Sequence, residues 1–328
     1  MDSKKDFKTK YSKIEGLIAA AFSPLDNMGR LNVDIIPEYY DFLRNNNVKG
    51  VFINGTSGEA FSLTSAERNK IVDAWVDARN NAGDGSNTFK LIVQVGGTGI
   101  EDEKRLADHI KNKPIDGFSS MAPIFFKPTD RFELIKHIQQ LALIAPNLPY
   151  YYYHVPQISG VDFPMLNFLD TIQESDYEIP NFAGIKFSLP NFYDYMSCQV
   201  KYGERYDMPF CSDQILICAL TLGAQGSIGS TYNYSAPLSN EVIRLFQEGH
   251  VIKARNLEEK LNQLSKFLHE TKAYFAIAKR LLKRKNIDLG IVRSPLMNLS
   301  MLQANEKEIM QSVDKYIEKI DVKNLLCK

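Results

Sequence analysis

The chain has 328 residues, 44% of them hydrophobic, with 39 Lys+Arg balanced by 39 Asp+Glu. That length suits one barrel domain with an appendage. The zero formal charge argues against a nucleic-acid or anionic-membrane partner, which calls for a basic face, without excluding a local basic patch. No run approaches the ~18 apolar residues of a membrane helix, and Met1–Lys10 lacks the apolar core of a secretory signal, so the expected compartment is the cytoplasm. Cys198, Cys211, Cys218 and Cys327 show no C-x-x-C spacing and read as small buried hydrophobes rather than a disulfide framework. The five histidines are scattered, so no metal site is expected.

Eight strand candidates follow in chain order: Leu17–Ser23, Gly50–Asn54, Leu91–Val95, Gly117–Ala122, Tyr150–His154, Ala183–Phe187, Pro209–Ser212 and Ala224–Gly229. Several are nearly all apolar, the pattern of strands covered on both faces in a parallel sheet. Helical patterns separate most of them. Thr64-Ser65-Ala66-Glu67 is a capping box that starts one helix, and Gly203 and Asn147-Leu148-Pro149 mark helix ends. Eight strands alternating with helices predict an α/β fold, a closed (β/α)8 barrel. An open doubly wound sheet calls for G-x-G-x-x-G after the first strand, where Phe22-Ser23-Pro24-Leu25 stands instead. From Leu238 onward Val242–Phe246, Ala254–Leu268, Tyr274–Lys283 and Glu306–Ile320 carry helical spacing. The expected organisation is a tail over residues 1–13, a barrel over 14–237 and a helical C-terminal extension over 238–328.

In such a barrel, chemistry sits where strands end and βα loops begin. Lys186 is the sharpest candidate. Strand alternation puts Ile185 and Phe187 on one face and Gly184, Lys186 and Ser188 on the other, so Lys186 faces the barrel interior if the apolar pair packs under helices. An amine kept from water sheds its proton more readily and becomes a nucleophile for carbonyls. The competing reading is a lysine whose stem packs while its amine reaches water. Gly55-Thr56-Ser57-Gly58 offers two hydroxyls and open backbone before a helix, either a carboxylate cradle or a plain turn. Tyr153 closes a run of four tyrosines and reads equally as proton carrier or core residue. Asp213 and Ser230 read as binders of polar substrate groups or as helix caps.

Taken together, Gly55-Thr56-Ser57-Gly58-Glu59-Ala60-Phe61, Tyr153-His154-Val155-Pro156, Gly184-Ile185-Lys186 and Gly229-Ser230-Thr231-Tyr232-Asn233 resemble the pyruvate-dependent class I aldolase family that includes N-acetylneuraminate lyase and dihydrodipicolinate synthase. The resemblance spans about Ile14 to Leu302, and the combination is far more specific than any one piece. It implies that Lys186 forms a Schiff base and Tyr153 shuttles protons. It further implies that Thr56 and Ser57 hold the pyruvate carboxylate, and that Ser188, Asp213, Gln214 and Ser230 contact the sugar-derived part. It implies a homotetramer, small-molecule substrates (sialic acid, pyruvate, N-acetylmannosamine) and no cofactor. Synthases of the family resemble Tyr-Asn-x-Pro-x-Arg at strand five. Here Ile158 stands at the arginine's position, and an aliphatic chain cannot replace a bidentate guanidinium, so the chain resembles the sialate-lyase branch. Two departures stand out. Gln214 replaces a glutamate, which puts polyol preference in doubt. Phe125 and Phe126 replace tyrosines, so a cross-subunit phenol relay is expected to be absent or replaced. The alternatives are a related aldolase for another sugar acid and a non-catalytic keto-acid-binding barrel.

Overall fold

A computed structural model describes residues 10–83, 88–301 and 306–328. Most of the expected tail, residues 1–9, lies outside them. The strands are β1 (Gly16–Ala20), β2 (Gly50–Ile53), β3 (Lys90–Gln94), β4 (Gly117–Met121), β5 (Tyr150–His154), β6 (Phe182–Phe187) and β7 (Gly226–Gly229). The helices are α1 (Ile36–Asn45), α2 (Ser65–Asn81), α3 (Ile100–Ile110), α4 (Arg131–Ala142), α5 (Pro156–Ser159), α6 (Met165–Thr171), α7 (Phe192–Tyr202), α8 (Leu216–Thr221), α9 (Tyr232–Gln247), α10 (Val251–Glu270), α11 (Tyr274–Lys283) and α12 (Glu306–Lys319). The chain groups into two compact units: residues up to Gly16 with Leu91–Ser212 and Cys218–Ile228, and Leu17–Lys90 with Asp213–Ile217 and Gly229–Lys328.

In the first unit β3, β4, β5 and β6 pair in parallel, each strand with the next. Every residue of β4, β5 and β6 is buried, the polar Ser119, Ser120, His154 and Lys186 included, as in a sheet covered on both faces. The expected seventh strand, Pro209–Ser212, is not a strand. Only single bridges form there, from Phe210 to Phe187 and to Ser227, with another between Asp207 and Gly184. Proline explains the interruption: Pro209 has no N–H to donate to a ladder. Its carbonyl still accepts from Phe187 N at 3.0 Å, and Phe210 N donates to Gly226 O at 3.1 Å. The eighth expected strand is therefore β7. Close approach at this seam depends on Gly184, where a Cβ would stand 1.7 Å from the Asp207 carbonyl oxygen.

Beneath β5 the Asp207 carboxylate accepts from Ile14 N at 2.8 Å and from the Tyr151 hydroxyl at 3.1 Å. Burial nevertheless pushes this carboxyl up to about 7. A carboxyl raised above its ordinary 3.8 on folding favours the folded state most below that value, and the advantage is lost as pH rises through about 7. Raising the pH from 5 to 8 should therefore cost the parent on the order of 2 kcal/mol more stability than Asp207→Asn. Urea midpoints across that range check this, and parallel pH dependences would refute it.

In the second unit β1 and β2 pair in parallel from Ile18 opposite Gly50. The capping box at α2 forms as expected. Thr64 Oγ1 accepts from Glu67 N at 3.2 Å, and Glu67 Oε2 accepts from Thr64 N at 2.9 Å. α9, α10, α11 and α12 supply the helical C-terminal region, with α10, α11 and α12 matching the expected segments to within a few residues. α9 begins earlier than the spacing indicates and is kinked at Ser235 (φ −126°), two residues before Pro237. Of the cysteines, Cys198 and Cys327 are buried, Cys211 is half-buried and Cys218 is exposed, so the reading of all four as buried is corrected. No described helix is long and apolar enough to cross a membrane.

Candidate active site

Lys186 and Tyr153 are partners in the β5–β6 register. Both are buried, 2% and 5% exposed. The Lys186 amine lies 3.3 Å from the centroid of the Tyr153 ring. The strand alternation holds. Phe187 turns the other way and meets His154 and Tyr195 edge-on, at centroid distances of 5.3 and 5.2 Å. His154 belongs to that apolar side, where burial pushes its imidazole down to about 4 and keeps it neutral near pH 7. Ser188 extends the Lys186 strand end: its N–H donates to His154 O at 2.9 Å and its hydroxyl to Cys211 O at 3.5 Å. One unit thus brings Lys186, Tyr153 and Ser188 to the carboxyl ends of two adjacent strands. The other three tyrosines of the run are core residues, and Tyr150 bonds the Ser120 hydroxyl at 2.6 Å.

The second unit carries the remaining candidates. Thr56 is exposed and Ser57 buried in the loop after β2. Asp213 accepts from Thr231 N at 2.8 Å, so its carboxylate supports the start of α9. The Ser230 hydroxyl is 2.9 Å from the Tyr274 hydroxyl, which lies 3.3 Å from that of Tyr234. Gln214 donates to the Ser265 hydroxyl at 3.1 Å. His269 stacks on Tyr274 with ring centroids 4.1 Å apart. Ser230 and Gln214 therefore rest on groups from α10 and α11 that sequence reasoning did not select. Ser265, His269 and Tyr274 stand in ordinary helical patterns, and no spacing marks them. Phe125 and Phe126 are 76% and 85% exposed, with ring centroids 4.8 Å apart.

Also missed was a buried ion pair. Lys279 Nζ donates to Glu59 Oε1 at 2.6 Å, with both side chains fully buried. A signal existed, because Lys279 lies between Ala276 and Leu282 on the apolar face of α11.

Residues 13–315 match the family model described as the dihydrodipicolinate synthetase family. N-acetylneuraminate lyase A of Xenopus laevis is 34% identical over 287 residues, 87% of this chain and 91% of that protein. N-acetylneuraminate lyase of Homo sapiens is 30% identical over 94% of this chain and 93% of its own. Among solved structures, the Proteus mirabilis N-acetylneuraminate lyase aligns with a TM-score of 0.84 and 31% identity over 96% of this chain and 100% of that one. The Aliivibrio salmonicida enzyme, a sialic acid aldolase, aligns with a TM-score of 0.85 and 33% identity over 94% and 98%. These alignments carry the fold class, α/β of the (β/α)8-barrel type with C-terminal helices. With the family model spanning nearly the whole chain and Lys186 and Tyr153 paired at adjacent strand ends, the chain belongs to the dihydrodipicolinate synthetase family of pyruvate-dependent class I aldolases.

Proposed function

We propose that this protein reversibly cleaves N-acetylneuraminate to N-acetylmannosamine and pyruvate through a Schiff base on Lys186, and that it works as a homotetramer. The observation that carries the chemistry is the buried Lys186 amine over the Tyr153 ring. What supports the substrate is the similarity to N-acetylneuraminate lyases across most of the chain.

In the proposed reaction the open-chain substrate enters with its carboxylate on Thr56 and Ser57. The Lys186 amine attacks the C2 keto carbon, and the resulting hydroxyl leaves as water with the Tyr153 phenol proton, giving an iminium and a phenolate. Tyr153 accepts the C4 hydroxyl proton as the C3–C4 bond breaks, and the bonding electrons pass into the iminium to give an enamine. The aldehyde leaves as N-acetylmannosamine. Tyr153 returns its proton to C3 of the enamine, and water then adds to the iminium, giving its proton back to Tyr153, to release pyruvate and restore the amine. Ser188, Asp213, Gln214 and Ser230 are assigned to the polyol portion. The lysine supplies the covalent chemistry, so the proposal needs no organic cofactor.

Borohydride treatment in the presence of pyruvate, followed by peptide mass measurement, should place a reduced pyruvyl group on Lys186. Condensation of pyruvate with a panel of aldehydes should be fastest with N-acetylmannosamine. An unmodified Lys186 in folded protein would favour the binding-barrel reading. A faster alternative aldehyde would favour the second reading, an aldolase for another sugar acid. Gln214 motivates that second reading: its carboxamide donates to Ser265, and it brings no charge to a polyol.

A further inference from the structure

The loop between β2 and α2 is bracketed by two non-glycine residues in the left-handed region, Asn54 at φ 59° and Glu59 at φ 54°. Asparagine tolerates this conformation because its short side chain bonds locally. Here its Nδ2 reaches beyond the loop and donates to Arg68 O in α2 at 3.1 Å. Glutamate has no such dispensation, and strained backbone of this kind persists only where the surroundings over-determine it.

The surroundings are the Glu59 side chain's own partners. Oε1 accepts from Lys279 Nζ at 2.6 Å and Oε2 from Arg293 N at 2.9 Å. Lys279 is fixed in turn by donating to Ile291 O at 2.8 Å. Arg293 grips the far side of the same loop. It donates to Ser62 O at 2.9 Å and to Glu67 Oε2 at 2.8 Å, in the capping box of α2. From Glu59 a single hydrogen bond leads to the hydroxyl pair, its N–H donating to Thr56 O at 3.0 Å. The Gly58 carbonyl next to it is held by the Ser23 hydroxyl.

A fully buried ion pair loses two hydration shells, and an apolar pair of similar volume is often as stable or more so. Stability alone therefore gives little reason for Glu59 and Lys279. We propose that the Glu59–Lys279 pair is a positioning device: through it α11 and the segment after it fix the conformation that presents Thr56 and Ser57 to the keto-acid carboxylate. The inference rests on the carboxylate role given to those two hydroxyls. Neither Glu59 nor Lys279 touches the reacting atoms in this scheme, so the defect on removing them belongs to binding and not to the covalent step.

The test uses two full-length variants, Lys279→Met and the double variant Glu59→Met/Lys279→Met, with thermal melting and borohydride trapping at graded pyruvate concentrations. The double variant leaves no buried charge unpaired and is expected to melt near the parent. Its half-saturating pyruvate concentration should rise about tenfold or more, while trapping at saturating pyruvate stays within about threefold of the parent. A folded double variant that saturates at the parent's pyruvate concentration would overturn the inference. So would equal losses in saturated rate and affinity, or failure of both variants to fold, which would make the pair a requirement of folding only. Two controls separate this from the reading beneath it. Absence of any adduct in the parent sinks the aldolase reading, whereas normal pyruvate saturation in Thr56→Val sinks the carboxylate assignment.

Discussion

Lys186→Ala is expected to fold and to turn over below about one ten-thousandth of the parent rate, because the step that creates the electron sink has no other amine in the scheme. Lys186 is among the largest fully buried side chains, so truncation to alanine leaves a cavity and is expected to cost stability of about 2 kcal/mol or more. Lys186→Met, which keeps the stem volume, separates packing from chemistry. Both variants should fail to trap pyruvate with borohydride, and Lys186→Met should melt closer to the parent than Lys186→Ala. Residual cleavage within a hundredfold of the parent would mean that another group carries the nucleophilic step. A hydride-stable adduct elsewhere in the chain would identify that group.

Tyr153→Phe should lower kcat by about 10²- to 10⁴-fold, the usual contribution of a positioned proton carrier. The aromatic face beneath the Lys186 amine survives the change, so pyruvate trapping should slow but still reach a near-normal extent. That split distinguishes a hydroxyl that moves protons from a ring that merely supports the amine. If kcat holds within a few-fold of the parent, the phenol is not the carrier. If the extent of trapping collapses along with kcat, the loss lies in Schiff-base formation instead of bond cleavage.

That both side chains stand near strand ends was legible because it follows from local rules. Alternation fixes which residues of a six-residue strand share the Lys186 face, and the barrel rule places function at strand ends. The register that sets Tyr153 opposite Lys186 was not legible, since it includes a shift between Tyr150 and Tyr151 that strand order does not give. Pro209 was visible in the sequence and underweighted. Its missing donor reduces the expected seventh strand to isolated bridges. What could not be read was contact between remote segments. Glu59 meets Lys279 across 220 positions and Ser230 meets Tyr274 across 44. Neither interval follows from helix or strand periodicity, since both depend on how the C-terminal helices return to the strands. Asp207 is the same case. Nothing in Tyr206-Asp207-Met208 indicates that its carboxylate receives Ile14 and Tyr151.

Gly184 stands two residues before Lys186, and the Asp207 carbonyl occupies the space where any side chain would begin. Even alanine there would have to push the neighbouring segment away, and the strand bearing the lysine would move with it. The glycine thus serves as a diagnostic when further chains are compared with this one. A homologue with lysine and tyrosine at the matching positions but a bulkier residue two places before the lysine has lost this seam. Its lysine should be expected to sit differently, whatever its overall similarity to this protein.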